Sequence, residues 1–482
     1  MSVDGRPVDG RPVEGRPAID LRWDERQTER VTTLRRLTGW GRTAPTVSEV
    51  RAIGEPQTVA SMVKRSGPRG TLARGLGRSY GDAATNAGGV VLDGRTSRGI
   101  LELDLVEGLV TVRAGTSIDE LMKLLVPLGW FVPVTPGTRQ VTVGGAIAAD
   151  IHGKNHHHSG SWCSHVESMR IIVGDGSILD VSPNSPGSDA ELFWATAGGM
   201  GLTGLVVDAT IAMSPISTSR VAVDTDRTRD IDELMSIMVD DDDHYDFSVA
   251  WIDLTTHRGR SGRSVLTRGN FATVDQLSPR LQRNPLAFST APTVDFPTLP
   301  AGLLRPSTIA AFNGAWYHKS PRRRRQEIQT IGEFFHPLDI VGKWNRAYGR
   351  RGFVQWQYAV PDRGARVIRR TIEVLESSGY VAFLALLKRF GPGDAGHLSF
   401  PIEGWTLALD LPVQPGLGTV LDGLDELVAA AGGRLYLAKD SRMRPEMMAA
   451  MYPRLDEWKA VRERVDPDHH FQSDLGRRLG LV

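Results

Sequence analysis

Two glycine-rich stretches in the N-terminal half constrain this chain more than any other feature. One is ARGLGRSYGD, Ala73 to Asp82; the other is TPGTRQVTVGGAIAADIHGKNHHHSGSW, Thr135 to Trp162. Glycine lets the main chain adopt positive φ and approach a ligand closely, and consecutive amides then form an anion-binding concavity. Two such loops in one half of a protein imply a large anionic cofactor gripped by backbone N–H groups, and with it an enzyme.

The sequence around them reads as α+β. Gly89 to Asp93 is expected to be a short buried strand. Ile100 to Ala114 alternates apolar and polar residues around Glu107-Gly108, and Met169 to Val181 turns at Asp175-Gly176, which predicts two hairpins. Between them Ser117 and Glu120 form a capping box for a helix whose apolar face is Ile118, Leu121, Met122 and Leu125, ended by Gly129. Leu205 to Ala212 is a strand. Order is expected to begin near Leu37 to Pro45. Beyond Pro215 an acidic run, Asp240 to Asp243, and a basic one, Arg322 to Arg325, stand among stretches rich in Trp, Phe, Pro and Arg. That texture predicts a second domain with extended loops. Val420, Leu424, Leu427 and Val428 mark a helix stopped by Gly432-Gly433. The strand-like RLYLAKDSR follows, and then a helical, polar tail.

Composition narrows the function classes. Lys plus Arg (57) balances Asp plus Glu (56), so total charge gives no support for nucleic-acid binding. Cys163 is the one cysteine, which excludes an internal disulfide framework and most zinc motifs. No apolar run reaches the length of a membrane span. The N-terminus, MSVDGRPVDGRPVEGRPAID, lacks the hydrophobic region of a secretory signal. It repeats V-[DE]-G-R-P, too polar to fold, and is expected to be a disordered leader over residues 1–26.

Several motifs invite chemistry. GMGLTG, Gly199 to Gly204, matches G-x-G-x-x-G, but a β-branched strand follows where a nicotinamide-binding fingerprint needs a helix. His152, His156, His157, His158 and His165 lack the carboxylate or cysteine partners and spacing of a metal site, and no metal is expected. Their Gly, Asn, Lys and Ser neighbours suit phosphate and ribose contacts. Lys439 stands between apolar residues, where an ammonium is either paired or functional. Gln355 and Gln357 share one strand face, positioned either to hydrogen-bond a polyhydroxylated substrate or to line a solvated edge. Lys388 ends the apolar run FLALLK, facing an anionic substrate group or snorkelling to the surface. PRRRRQE is either a solvated face or a contact for anionic lipid head groups.

GRSYGD, PGTRQVTVGGAIAADIHGKNHH, ELFWAT with its following glycines, and LYLAKDSR together resemble the FAD-linked oxidases of the vanillyl-alcohol-oxidase type. Within that superfamily the likeness is to the family that oxidises decaprenylphosphoryl-β-D-ribose, with WNRAYG, HPLD and MYPR-DEW as further shared stretches. It runs from about Leu37 to the C-terminus. The resemblance implies a two-domain PCMH-type fold: an FAD-binding domain over residues 27–217, an antiparallel-sheet substrate domain over 218–433, and a segment from 434 to 482 returning to the first.

Carried over by motif, Ala73, Arg74, Gly75, Leu76, Gly77, Arg78, Ser79, Tyr80, Gly81, Asp82 and Ala83 would wrap the FAD pyrophosphate. Gly137, Thr142, Val143, Gly144 and Gly145 would line the flavin with Ala149, Asp150, Ile151, His152, Val206 and Tyr436. Lys439 and His152 would be the catalytic pair, one as base or flavin-stabilising cation and the other for orientation or proton relay, with the division left open. Gln355, Gln357, Lys388, Trp251 and Lys154 would meet the substrate. The implied reaction is oxidation of the ribose 2′-hydroxyl to a keto sugar. A separate NAD-dependent short-chain reductase would complete the epimerisation to the arabinose used in cell-wall arabinan. The implied setting is peripheral contact with membrane lipid, cytoplasmic or periplasmic. The rival reading is a soluble aldose or alditol oxidase that uses O₂.

Four positions depart from relatives or select among them. Arg78 stands where covalent flavoproteins of the superfamily carry histidine, so FAD is expected to be dissociable. Ala408 and Thr406 replace the cysteine and asparagine typical of mycobacterial members, and Phe335 replaces a tyrosine.

Overall fold

The computed structural model describes residues 33–255, 261–290, 293–297 and 305–482. The expected leader, 1–26, lies outside them. The first described element is the strand Thr33–Leu37, a few residues ahead of the expected start.

Three sheets make up the framework. The first is mixed and orders its strands Thr33–Leu37, Thr46–Ala52, Val90–Asp93 and Thr71–Arg74. The second is antiparallel, in the order Ile100–Asp104, Leu109–Arg113, Leu205–Ala212, Val166–Ile172 and Ile178–Val181. Both expected hairpins are in it. Gly108, at φ 70°, makes the first turn, and a Cβ there would stand 2.4 Å from the Trp130 ring, so only glycine fits. The capping box is present too: Ser117 accepts from the Glu120 amide while Glu120 accepts from Ser117, and Gly129 ends the turn at φ 88°.

The third sheet has eight antiparallel strands: Arg323–Thr330, Arg220–Thr228, Arg263–Phe271, Phe247–Asp253, Leu384–Phe390, Gly404–Pro412, Phe353–Val360 and Arg434–Leu435. Phe353–Val360 is buried from end to end, which forces its two glutamines to find partners inside the protein. The helices Arg366–Ser378 and Leu417–Ala430 cover one face with Ile368, Ile372, Leu375, Leu421, Leu424 and Val428.

RLYLAKDSR is not the expected strand. Only Arg434–Leu435 pairs, because the amides of Lys439 and Asp440 both donate to the Tyr436 carbonyl at 2.9 Å and curl the chain into a turn. The tail then runs back to the first sheet. Gln472 N–H donates to Thr71 O at 3.0 Å, and Asp474 N–H to Thr85 O at 2.8 Å. No helix among the described residues is long and apolar enough to cross a membrane.

Candidate active site

One long cavity runs between the first two sheets and the inner face of the third. At one end it is walled by Ile53, Pro56 and Val59, and at the other by Gln355, Gln357, Lys388, Ala408 and Lys439. The glycine loop passes along its middle. Arg74 shapes that loop by donating to Ala84 O at 2.6 Å and Thr38 O at 2.9 Å, while Gly77 closes over the guanidinium at φ 64°. The N–H groups of Leu76, Gly77, Arg78 and Ser79 find no acceptor among the described residues, in a chain whose other turns are well bonded. Unpaired donors facing a cavity suit a pyrophosphate. Arg78 lies over Trp40 at 4.0 Å, its Nε buried and unpartnered.

Thr142 caps the short helix Val143–Ala148, whose small residues bring its backbone up to the cavity. Beyond it, Thr135 and Thr138 anchor the second glycine stretch to the third-sheet domain. Thr135 Oγ1 lies 2.8 Å from His336 Nε2, and Thr138 donates to Asp339 at 2.7 Å. Leu338, between those two anchors, therefore stands at the rim.

Of the residues named from sequence, the cavity is lined by Ala73 to Tyr80, Ala83, Gly137, Thr142, Gly144, Gly145, Ala149, Ile151, His152, Val206 and Tyr436 on the cofactor side. Lys439, Gln355, Gln357 and Lys388 line the sheet end. Six do not line it. Gly81 packs on the Asp440 backbone, and Asp82 is ion-paired with Arg478 at 2.7 Å. Val143 is core. Asp150, at φ 38°, turns its carboxylate to Cys163 N–H and the Ser399 hydroxyl. Lys154 donates to Phe334 O. Trp251 sits directly opposite Leu386 in register, hence on the cavity face of the sheet but one strand removed.

His152 is clamped by the Phe390, Phe400 and Tyr436 rings at 4.9, 5.4 and 5.1 Å. Burial, then the charge of Lys388, holds its pKa well below the usual value, so it is neutral at pH 7. The other histidines of the cluster turn to local groups: His156 to Ser161, His157 to Tyr245 O, His165 to Ser159 O. Phe335 packs among Phe131, Phe247 and Phe334 and does not line the cavity.

Three lysines surround the sheet end. Lys439 and Lys154 are pushed down to about 7 and Lys388 to about 8, chiefly by desolvation, with Lys388 depressing both of the others. Each is enclosed by protein yet keeps some surface open. The Lys439 ammonium lies 3.9 Å from the Tyr80 ring centroid. Its nearest electrostatic support is Asp410, which accepts from Gln355 Nε2 at 2.5 Å and is itself raised to about 7 by burial. Sequence reading missed Asp410, although an aspartate in the apolar strand WTLALD was a visible anomaly. It also missed Ile53, Pro56, Val59, Leu384 and Leu386, which are ordinary apolar residues in sequence and become cavity wall only through the fold.

Residues 50–182 match the FAD binding domain family, and residues 413–479 match the D-arabinono-1,4-lactone oxidase family. The chain is 46% identical to decaprenylphosphoryl-β-D-ribose oxidase of Mycolicibacterium smegmatis over 94% of its own length and 99% of the relative's. It is 40% identical to an uncharacterised protein of Streptomyces coelicolor, covering 76% of this chain and all of that one. It is 21% identical to L-gulono-1,4-lactone dehydrogenase of Mycobacterium tuberculosis over 89% of its length and 95% of the relative's.

Proposed function

The chain belongs to the decaprenylphosphoryl-β-D-ribose oxidase family of FAD-binding oxidoreductases with the two-domain PCMH-type fold, and from that membership we propose that it oxidises the ribose 2′-hydroxyl of decaprenylphosphoryl-β-D-ribose to the 2′-keto sugar. The observation that carries the substrate reading is the sheet end of the cavity. Lys388 supplies cationic charge for a phosphate, Gln355 and Gln357 supply amides for sugar hydroxyls, and all three border a cradle suited to a dinucleotide, with Lys154 close enough behind the wall to feel the charge of Lys388.

A bound FAD would supply the hydride acceptor for the carbinol carbon. Lys439, poised near neutrality, takes the hydroxyl proton as general base. Asp410 steadies the protonated ammonium that results. Neutral His152 orients the reacting groups. Arg78 offers no ring nitrogen for a covalent flavin bond, so FAD is held non-covalently. Residues 27–217 with 434–482 are assigned to the flavin-binding unit and 218–433 to the substrate unit; sheet membership supports the break near 217, whereas Arg434–Leu435 still pairs within the third sheet before the tail turns back. An NAD-dependent short-chain reductase consumes the keto product, and the enzyme works against a membrane surface where its lipid substrate resides.

Anaerobic mixing of the FAD-loaded protein with polyprenylphosphoryl ribose tests the reading through flavin absorbance. Bleaching by the lipid-linked sugar but not by free ribose is expected. Bleaching by free sugars, with peroxide formed in air, would replace it with a soluble sugar oxidase.

A further inference from the structure

Phe312 and Trp316 are the only exposed phenylalanine and tryptophan among the described residues, 51% and 44% accessible, and they lie one turn apart on the helix Pro306–Lys319. The inward side of that helix is anchored. Ile309 is buried, Asn313 donates to Asp253 at 3.1 Å, and the Tyr317 hydroxyl donates to Thr228 O at 3.1 Å. The outward side carries Ala311, Phe312, Ala315 and Trp316, where a surface helix ordinarily places charged or polar residues.

This stripe leads to the cavity. The Phe312 ring is 5.5 Å from Phe383, Phe383 is 6.1 Å from Tyr348, and Tyr348 is 6.3 Å from Trp344, which lines the cavity. Leu338 at the rim, Ile340 beside it, and Val294, held alongside by pairing with Val341, extend the exposed apolar surface. Cations flank the stripe. Lys319, Arg322 and Arg323 are exposed and have no carboxylate partner among the described residues, whereas Arg324 and Arg325 pair with Glu327 and with Asp224 and Asp226. The chain as a whole carries a net charge of only +1, so this basic patch is local.

We propose that the outward face of the helix Pro306–Lys319, with Lys319, Arg322 and Arg323, docks on an anionic lipid bilayer and holds the rim of the cavity at its surface. Aromatic and aliphatic side chains enter the interfacial layer while the cations meet lipid phosphates, a combination that a bilayer presents over one surface. The inference rests on the lipid-linked substrate reading and names the surface that reading needs. The ring contacts from Phe312 through Phe383 and Tyr348 to Trp344 join the docking face to the cavity wall.

The test is co-sedimentation of the FAD-loaded full chain with vesicles of phosphatidylcholine alone, or doped with phosphatidylglycerol. Binding is expected only to the anionic vesicles and is expected to fall with added salt. Each cation near an anionic surface contributes roughly fivefold in affinity. Phe312→Ser/Trp316→Ser and Arg322→Gln/Arg323→Gln are each expected to weaken binding by about tenfold or more, with FAD content unchanged in both and turnover of detergent-dispersed substrate unchanged in the arginine variant. Undiminished binding in both variants would overturn the proposal. So would equal binding to neutral vesicles, or self-association that the same variants abolish. If vesicle binding behaves as expected but polyprenylphosphoryl ribose is not oxidised, the docking surface stands and the substrate reading fails.

Discussion

The side-chain amide of Gln357 lies 3.0 Å from Nε2 of His152, and Thr406 decides which way round that amide stands. The Thr406 hydroxyl donates to Tyr358 O at 2.9 Å, so its oxygen is left to accept from Gln357 Nε2 at 3.2 Å. With the amide nitrogen thus placed, Nε2 of neutral His152 must be an acceptor, and the ring proton sits on Nδ1. That nitrogen is buried and has no partner among the described residues, which leaves it free to donate to whatever fills the cavity.

Thr406→Val keeps the shape and removes the constraint. The amide can then turn, and the His152 proton is no longer confined to Nδ1. Flavin reduction in a rapid-mixing experiment should slow about tenfold, the cost of roughly one hydrogen bond in the reacting complex, with flavin content unchanged. A rate equal to wild type would remove Thr406 from the positioning of His152.

Activity should rise with pH through about 7 as Lys439 loses its proton, if the neutral amine is the base as proposed. The Asp410 carboxylate favours the ammonium, so Asp410→Asn should move this rise to lower pH. The Gln355 bond is retained, since an asparagine oxygen still accepts. Lys439→Ala should lower turnover by about a hundredfold or more and flatten the limb. A rise that stays in place in Asp410→Asn would break the coupling.

Arg478 donates Nε and Nη2 to the two oxygens of Asp82, at 2.8 and 2.7 Å, and Nη2 also reaches Asp440 at 2.8 Å. Both carboxylates are buried, so Arg478→Ala would leave two anions without their cation. The expected loss is about 3 kcal/mol of stability, read as a lower Tm and easier release of FAD. An unchanged Tm would show that solvent replaces the guanidinium.

The native enzyme should resist small alkylating agents. Its one thiol, Cys163, is buried, lies 3.7 Å from Ile147 O, and has a pKa raised by burial and by Asp150. Ala408→Cys would place a thiol on the wall of the cavity that Lys388 and Lys439 also line. Intact mass should show one adduct with iodoacetamide in the variant and none in wild type. Turnover before labelling should stay within about threefold of wild type. Labelling of native wild type would mean that Cys163 is reached.

Features governed by local chemistry were legible from sequence. The Ser117–Glu120 box, the turns at Gly108 and Gly176, and the glycine loop depend on residues near one another in the chain, and each has a signature. Gln355 and Gln357 could be paired on one face from spacing alone. Lys439 misled because LYLAK alternates like a strand, while the Tyr436 carbonyl captures two amides and makes a turn. Asp410 was invisible as a partner because its role depends on lying opposite Gln355, a register set by the fold. The apolar end of the cavity offered no motif at all.

The turn that carries Lys439 is laid onto the glycine loop: Tyr80 N–H donates to Ala438 O at 2.9 Å, and Gly81 packs on the Asp440 backbone. Arg478 closes that contact across 396 positions of sequence. A chain emerging from the ribosome therefore shows its glycine loop long before the residues that brace it. A chain clipped before Arg478 would lack this brace and is expected to purify paler than the full-length protein, so that colour would report whether the two ends have met.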